Sequence, residues 1–363
     1  MTVGFHSPLP PARTGVADYS AALLAALRRH GRVEVDPARA DIHLYHLGNN
    51  QLHRDIYRRA LATPGVVVLH DAVLQHFFLG WLDRAGYLEE FVHNYGEWDR
   101  GLAEEMWDSR AQSGAQERFF RYPMLRRIAE TSRAVIVHNP AAARMVREHA
   151  PRARVHEIPH LFVPPPEARA ADRLRLRRRL GGRFIFAVMG YLRESKRLPV
   201  ILKAMDELRK QAADAVLLVA GEFVSADLAR LMLPRLKRDD VRYTGRTAER
   251  GFWLLAAAAD ASINLRHPAA GETSGIAIRM MGLAKPVVLT ESEEVSRFPA
   301  ETCLRVAHGV AETDELVHYM ALLARSGGLA GEIGGRAKAY IRQHHSVERV
   351  ASLYWEALRG CQI

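Results

Sequence analysis

Short apolar runs alternate along the chain with longer stretches in which apolar residues recur every three or four positions. The first pattern marks strands buried on both faces, and the second marks helices with one apolar stripe. Strands are expected over residues 2–7, 41–45, 66–69, 134–137 and 155–158, with helices over 17–29, 51–62 and 141–149. In the first helix Leu23, Leu24 and Leu27 share a face, and Gly31 serves as its stop. Residues 74–128 read as almost wholly helical and hold Trp81, Trp98 and Trp107. The run Leu161-Phe162-Val163-Pro164-Pro165-Pro166 then breaks both regular structures. Beyond it the alternation resumes, with strands at 184–189, 215–220, 241–244, 260–265 and 287–289. Helices lie between them, followed by helices over 311–325, 331–344 and 347–358. This alternation predicts the α/β class: two doubly wound parallel sheets, one per domain, facing each other across a cleft. The expected boundaries are 1–162 for the amino-terminal domain, 163–183 for a linker with a basic helix, and 184–344 for the carboxyl-terminal domain. The last helix, in 345–363, is expected to pack back on the amino-terminal domain.

In open parallel sheets ligands bind beyond the carboxyl ends of the strands. Those ends carry Arg13-Thr14-Gly15, His70-Asp71, residues 190–196, Gly221-Glu222 and Gly271-Glu272-Thr273-Ser274-Gly275. Asp71 is placed to cap the helix that follows it. The last group lies on a loop between a strand and the first turn of a helix. The first N–H groups of a helix have no partner inside it, and its dipole makes that end positive. With glycines permitting close approach, the loop suits a phosphate or diphosphate. The plain alternative is an ordinary cap, in which Thr273 or Ser274 bonds its own backbone. The gathering of glycines, cations and acids at the strand ends favours the phosphate seat.

Composition narrows the class. A 363-residue chain with 48% hydrophobic and 25% charged residues is globular and long enough for two domains. The chain opens Met1-Thr2-Val3-Gly4-Phe5-His6 and runs into prolines, so no signal peptide is read and a soluble cytoplasmic protein is expected. The longest apolar window, 252–259, is far short of a membrane span. Cys303 and Cys361 form neither a disulfide framework nor a metal spacing. The net charge of +10 admits nucleic acid, an anionic membrane surface or negatively charged small substrates. Much of it is local: Arg169, Arg173, Arg175, Arg177, Arg178, Arg179 and Arg183 stand against Asp172 alone, and read as a solvated helix face. No zinc-finger spacing, aromatic RNA motif or helix-turn-helix supports nucleic acid. His156-Glu157-Ile158-Pro159-His160 has a zinc-protease spacing, but Pro159 forbids the helix that chemistry needs. Ser274 lacks the glycine spacing of a hydrolase nucleophile elbow.

Together these pieces resemble the family-4 retaining glycosyltransferases of the GT-B fold, with two Rossmann-like domains. The resemblance runs over nearly the whole chain, through residues 8–20, His70-Asp71, 190–197 and 271–288. In that family one glutamate opens the diphosphate loop and a second lies eight positions later. Glu272 fills the first place and Met280 the second, as in a bacterial subgroup reading GETSG. The resemblance implies a hexosyl-type transfer from a nucleotide diphospho-sugar to an acceptor hydroxyl, with the anomeric configuration kept by a same-face displacement. It implies an amino-terminal acceptor domain, a carboxyl-terminal donor domain, and neither metal nor other cofactor. Catalytic roles fall to His70, Lys196 and Glu272. Donor diphosphate and sugar contacts fall to Gly15, Arg193, Lys196, Glu272, Thr273, Ser274 and Gly275.

The physical demands match those residue types. The leaving diphosphate gains charge that Lys196 and the N–H groups of 273–275 would meet. Glu272 would orient the sugar, and His70 would touch it from the other domain. Gly15 would allow close approach. Tyr191 stands where the family has an arginine, and Arg193 is the nearby cation. Met280 cannot accept strong hydrogen bonds from a ribose, so the ribose is held otherwise or a deoxyribose donor is tolerated. The acceptor, a glycan, a lipid-linked sugar or a small natural product, would depend on residues 8–14 and 74–128. A basic face would suit peripheral contact with the inner face of a membrane. The competing readings are a nucleotide-sugar epimerase of the same architecture and a non-catalytic nucleotide-sugar-binding partner, the latter favoured by Tyr191 and Met280.

Overall fold

The computed structural model describes residues 1–166, 169–181, 183–211 and 213–362. The chain forms two compact units. The first comprises Met1–Leu161, Pro268–Thr273 and His344–Ile363; the second comprises Phe162–His267 and Ser274–Gln343.

In chain order the first unit contains β1 (Thr2–His6), α1 (Gly15–Leu27), β2 (Arg32–Val35), β3 (Ile42–Leu47), α2 (Arg54–Ala62) and β4 (Val66–Leu69). Four helices follow, α3 (Gln75–Trp81), α4 (Arg84–Tyr95), α5 (Arg100–Asp108) and α6 (Arg126–Thr131), then β5 (Ala134–Val137), α7 (Pro140–His149) and β6 (Val155–Glu157). The strands make one parallel sheet in the order β2-β1-β3-β4-β5-β6. Strands β3, β4 and β5 are buried at every position, which explains the unbroken rather than alternating apolar pattern of β4 and β5, while β3 buries His43 and His46 among its apolar residues.

The second unit contains α8 (Ala170–Leu180), β7 (Phe184–Met189), α9 (Leu198–Lys210), β8 (Ala215–Ala220), α10 (Ala226–Met232), β9 (Val241–Tyr243), α11 (Glu249–Ala258) and β10 (Ala261–Asn264). It continues with α12 (Gly275–Gly282), β11 (Val287–Thr290), β12 (Leu304–Val306), α13 (Glu312–Arg325) and α14 (Gly327–His344). Its parallel sheet runs β12-β11-β10-β7-β8-β9, so the chain reverses direction of growth between β7 and β10. In α8 the Arg177 guanidinium donates to Asp260 and to the Ala258 carbonyl, at 2.7 and 2.8 Å, while Arg173, Arg175, Arg178 and Arg179 are exposed. The last helix, α15 (Val347–Arg359), lies in the first unit. There Val350, Tyr354 and Leu358 join Phe5, Leu23 and Leu27 in one core, and the Tyr19 and Tyr354 hydroxyls sit 2.9 Å apart.

Several local expectations are corrected. Between α5 and α6, residues 109–125 form short 3-10 turns and irregular chain rather than helix. The reason lies in breakers: Ser109 turns back on the Glu105 carbonyl, Pro123 cannot donate, and Met124 takes a left-handed φ of 57°. Asp71 does not cap α3; its carboxylate accepts from the Asn49 N–H at 2.8 Å. The strands β2 and β12 were hidden from pattern reading because they are short, charged edge strands. His156 lies on β6, so His156 and His160 do not share a helical turn. Residues 268–273, expected within the carboxyl-terminal domain, belong to the first unit. Among the described residues no helix is long and apolar enough to cross a membrane.

Candidate functional site

In the second unit, the carboxyl ends of β7 and β10 flank the reversal point of the sheet. Behind β7 the chain turns at Gly190, with φ of +86°. A Cβ on Gly221 would stand 1.8 Å from the Gly190 carbonyl oxygen, so these strand ends touch backbone to backbone. Gly221→Ala is therefore expected to cost more than about 3 kcal/mol of stability, read by equilibrium denaturation. A loss under about 1 kcal/mol would show that the two turns can separate freely.

The segment after Gly190 is fastened at several points. Leu192 N–H donates to the Glu222 carbonyl at 2.8 Å, and His267 N–H donates to the Ser195 carbonyl at 2.8 Å. Arg197 adopts a left-handed φ of 57°, and its guanidinium makes a two-pronged pair with the buried carboxylate of Glu312. Between these anchors Lys196 is 7% exposed, and its Nζ donates to the Met189 carbonyl at 2.7 Å. A lysine cation is thus held at the carboxyl end of β7. Arg193 and Tyr191 are exposed on the same segment.

Behind β10, Ser274 is the N-cap of α12; its Oγ accepts from the Ala277 N–H at 3.3 Å. Asn264 Nδ2 donates to the same Oγ at 2.7 Å, while the buried Asn264 Oδ1 has no partner among the described residues. The plain cap reading of Ser274 is therefore real, and it places the positive end of α12, from Gly275, at the reversal point. Met280 is fully buried in an apolar cluster with Ile278 and Met281.

In the first unit, residues 268–273 are tied to the turns after β4 and β5. The Ala72 and Val73 N–H groups donate to the Ala270 carbonyl at 2.8 and 3.0 Å. Asn139 Nδ2 donates to the Gly271 carbonyl at 2.9 Å and to Thr273 Oγ1 at 3.0 Å, and Thr273 Oγ1 donates to the His138 carbonyl at 3.2 Å. Gly271 has a φ of +66°, and a Cβ there would stand 2.7 Å from Ala72 Cβ. Glu272 Oε2 accepts from the Ala270 N–H at 2.6 Å, which pins the carboxylate inside its own turn.

His70, two residues before Ala72, is partly exposed at the end of β4. Its Nε2 lies 3.0 Å from Nδ1 of the fully buried His46, and Tyr19 and His138 pack against it at ring distances of 4.9 and 5.2 Å. Burial, then the neighbouring His138 and His46, hold the His70 pKa well below the ordinary histidine value, so the ring is neutral. Gly15 is exposed at the first residue of α1, whose cap is Thr14, and among the described residues nothing beyond its chain neighbours and its own helix backbone lies within 4 Å of the position its Cβ would take.

His46, His138, Asn139 and Asn264 went unnoticed in the sequence. Asn139-Pro140 carries a legible helix-start signal, and Asn139 does cap α7. Its grip on the 268–273 loop has no local signature, because the partners lie 132 and 134 positions away.

No protein-family model and no curated protein sequence matches the chain. Solved structures do match in three dimensions. HepE of Anabaena, solved with UDP and glucose, covers 99% of this chain and 100% of its own, with a TM-score of 0.64 at 13% identity. The sucrose-phosphate synthase of Thermosynechococcus elongatus covers 99% and 98%, with a TM-score of 0.66 at 15% identity. WaaG, a glycosyltransferase involved in lipopolysaccharide biosynthesis, covers 97% and 99%, with a TM-score of 0.61 at 12% identity. At these identities the likeness concerns architecture: the chain has the GT-B fold of these proteins, with two parallel six-stranded sheets and their surrounding helices.

Proposed function

We propose that the protein transfers a sugar from a nucleotide diphospho-sugar to an acceptor hydroxyl, with retention of anomeric configuration. The observation that carries this reading is the reversal point of the second sheet. There the buried Lys196 cation stands behind β7, and the capped N-terminus of α12 stands behind the adjacent β10. Such a pair of fixed positive ends suits a diphosphate whose charge grows as the glycosidic bond breaks. The full-length likeness to HepE, solved with UDP-glucose, supports a nucleotide sugar as the donor.

In this reading Lys196 and the N–H groups of Thr273, Ser274 and Gly275 hold the diphosphate, and Arg193 adds a cation from its exposed loop. Glu272, pinned by the Ala270 N–H, orients the sugar hydroxyls. His70 contacts the sugar, and the exposed turn at Gly15 leaves room for the donor. Lys196, Arg193 and the N–H groups of 273–275 meet the leaving charge in the place a metal would take. The first unit takes the acceptor, a glycan, a lipid-linked sugar or a small natural product.

A panel of UDP-, GDP- and dTDP-sugars, incubated with cell extract as acceptor source and followed by mass spectrometry, tests the reading. One donor should release its nucleoside diphosphate only when acceptor is present. A donor sugar altered without acceptor would indicate an epimerase. Binding without turnover would favour a non-catalytic partner, the reading to which buried Met280 and exposed Tyr191 lend weight.

Burial of Met280 yields a separate expectation. A side chain at this position faces the core, so it contributes no ribose contact. UDP and its 2′-deoxy form should bind within about tenfold of each other by calorimetry, since a pocket not built around a hydroxyl rejects its loss weakly. Met280→Glu should cost about 3 kcal/mol or more of stability, because it buries an unpaired carboxylate. A ribonucleotide preference above that range would show that other residues hold the ribose, and a Met280→Glu chain of unchanged stability would refute the burial of this position.

A further inference from the structure

We infer that His46 is a positioning residue for His70: it locks His70 into the tautomer with its proton on Nδ1, so that His70 meets a sugar hydroxyl as a hydrogen-bond donor. The contact with sugar rests on the proposed function; the tautomer does not.

His46 lies on β3, fully buried, with its ring packed by Phe5 at 4.8 Å, Tyr19 at 6.1 Å and Tyr354 at 6.5 Å. Its Nδ1 faces His70 Nε2 at 3.0 Å, and its own Nε2 has no partner among the described residues. One proton lies between the two rings. If His70 supplied it, neutral His46 would carry its proton on Nε2, as a buried N–H with nothing to bond. If His46 supplies it, Nε2 keeps only a bare lone pair. Orphaned buried N–H groups are rarer than underused acceptors, so the second arrangement is favoured.

Two neighbours obey the same rule where no choice exists. His53 Nδ1 lies 2.9 Å from the His46 carbonyl, and His138 Nδ1 lies 2.9 Å from the Ile158 carbonyl. A carbonyl only accepts, so in both rings the proton sits on Nδ1 and the buried Nε2 is left bare. His46 completes the pattern. Its Nδ1–H donates, His70 Nε2 accepts, and neutral His70 must carry its own proton on Nδ1. The partly exposed His70 ring thus offers a donor in a fixed direction, set by a residue 24 positions away.

The test is a two-bond proton–nitrogen correlation spectrum of the full chain labelled with nitrogen-15 histidine at neutral pH, with His70 identified by its loss in His70→Gln. His70 protonated on Nδ1 is the expected result, and His70 protonated on Nε2 overturns the inference from the wild-type spectrum alone. His46→Phe keeps the aromatic packing and removes the donor, so His70 should shift to the Nε2–H form. His46→Asn places an amide N–H where Nδ1 stood and should preserve Nδ1–H on His70, and it serves if the Phe variant does not fold. A folded His46→Phe chain in which His70 still carries Nδ1–H overturns the positioning role. With UDP-glucose as donor, His46→Phe should raise KM at least tenfold, with His46→Asn within threefold of wild type. Unchanged KM despite a changed tautomer would overturn the donor role of His70. Because the spectrum is recorded without donor, a wild-type chain that turns over no nucleotide sugar would defeat the proposed function and not the tautomer.

Discussion

Replacing Lys196 by methionine is expected to lower the rate of sugar transfer by about 10²–10³-fold, the usual cost of removing one fixed group that meets developing negative charge. Methionine keeps the length of the buried stem, so the effect isolates the ammonium from its packing. The lost bond to the Met189 carbonyl should cost only about 1–3 kcal/mol of stability. The Arg197–Glu312 pair and the backbone bonds of the segment remain in place. Single-turnover measurement with excess enzyme separates the chemical step from donor binding, and equilibrium denaturation checks the fold. Glu272→Gln makes the contrast. Its amide oxygen can still accept from the Ala270 N–H, so the turn persists while the sugar loses a charged acceptor. A drop of about tenfold in kcat/KM is expected there. A Lys196→Met enzyme that keeps its single-turnover rate within threefold would remove Lys196 from the site.

Mild acid should unfold the first unit. Burial lowers the pKa of His6, His53, His138 and His345 to about 4, and holds His46 and His70 further below the ordinary value of 6.5. Asp36 opposes this at His6 without reversing it. All six belong to the first unit. With the folded values depressed, the native state binds fewer protons than the unfolded chain between pH 6.5 and 4. Stability is therefore full above pH 6.5 and falls as the pH drops through that window. At pH 5 each of His53, His138 and His345 removes about 2 kcal/mol, or about 6 kcal/mol together. His6, His46 and His70 act in the same direction. Since whole domains are stable by only about 5–15 kcal/mol, the unit should open above pH 4.5. Tryptophan emission reports it, because the half-buried Trp81, Trp107 and Trp355 lie in the first unit; Trp98 there is already fully exposed, and Trp253 lies in the second. A melting temperature unchanged between pH 7 and pH 5 would show that these rings are not held neutral in solution.

Much of the architecture can be read directly from local pattern. The apolar runs at 66–69, 134–137, 184–189 and 215–220 are β4, β5, β7 and β8 as they stand, because strands covered on both faces have no solvent side to interrupt them. Edge strands β2 and β12 escaped for the converse reason: they are short, and the charged Arg32, Glu34 and Arg305 interrupt their apolar signal. Residues 109–125 failed as a helix because helical spacing of aromatics also suits a packed irregular segment, and only Pro123 and the turn at Met124 decide between them. Ser274 shows both sides at once. Its capping role was legible in the residue before a helical stretch, whereas its bond from Asn264 was not.

By itself, then, the sequence determined the α/β class, the alternation of elements and the glycines and cations at the strand ends. These depend on interactions spanning a few residues: apolar periodicity, helix caps and backbone breakers. Tertiary structure alone decided the order of strands within each sheet, which turn Asp71 serves, that Met280 faces the core, and that Asn139 grips the Gly271–Thr273 turn. It also decided the stack of His46 beneath His70, on which a proton position depends. These arrangements join groups 22 to 134 positions apart. Their energies come from burial and from pairing polar groups cut off from water, and neither exists until the sheet has formed.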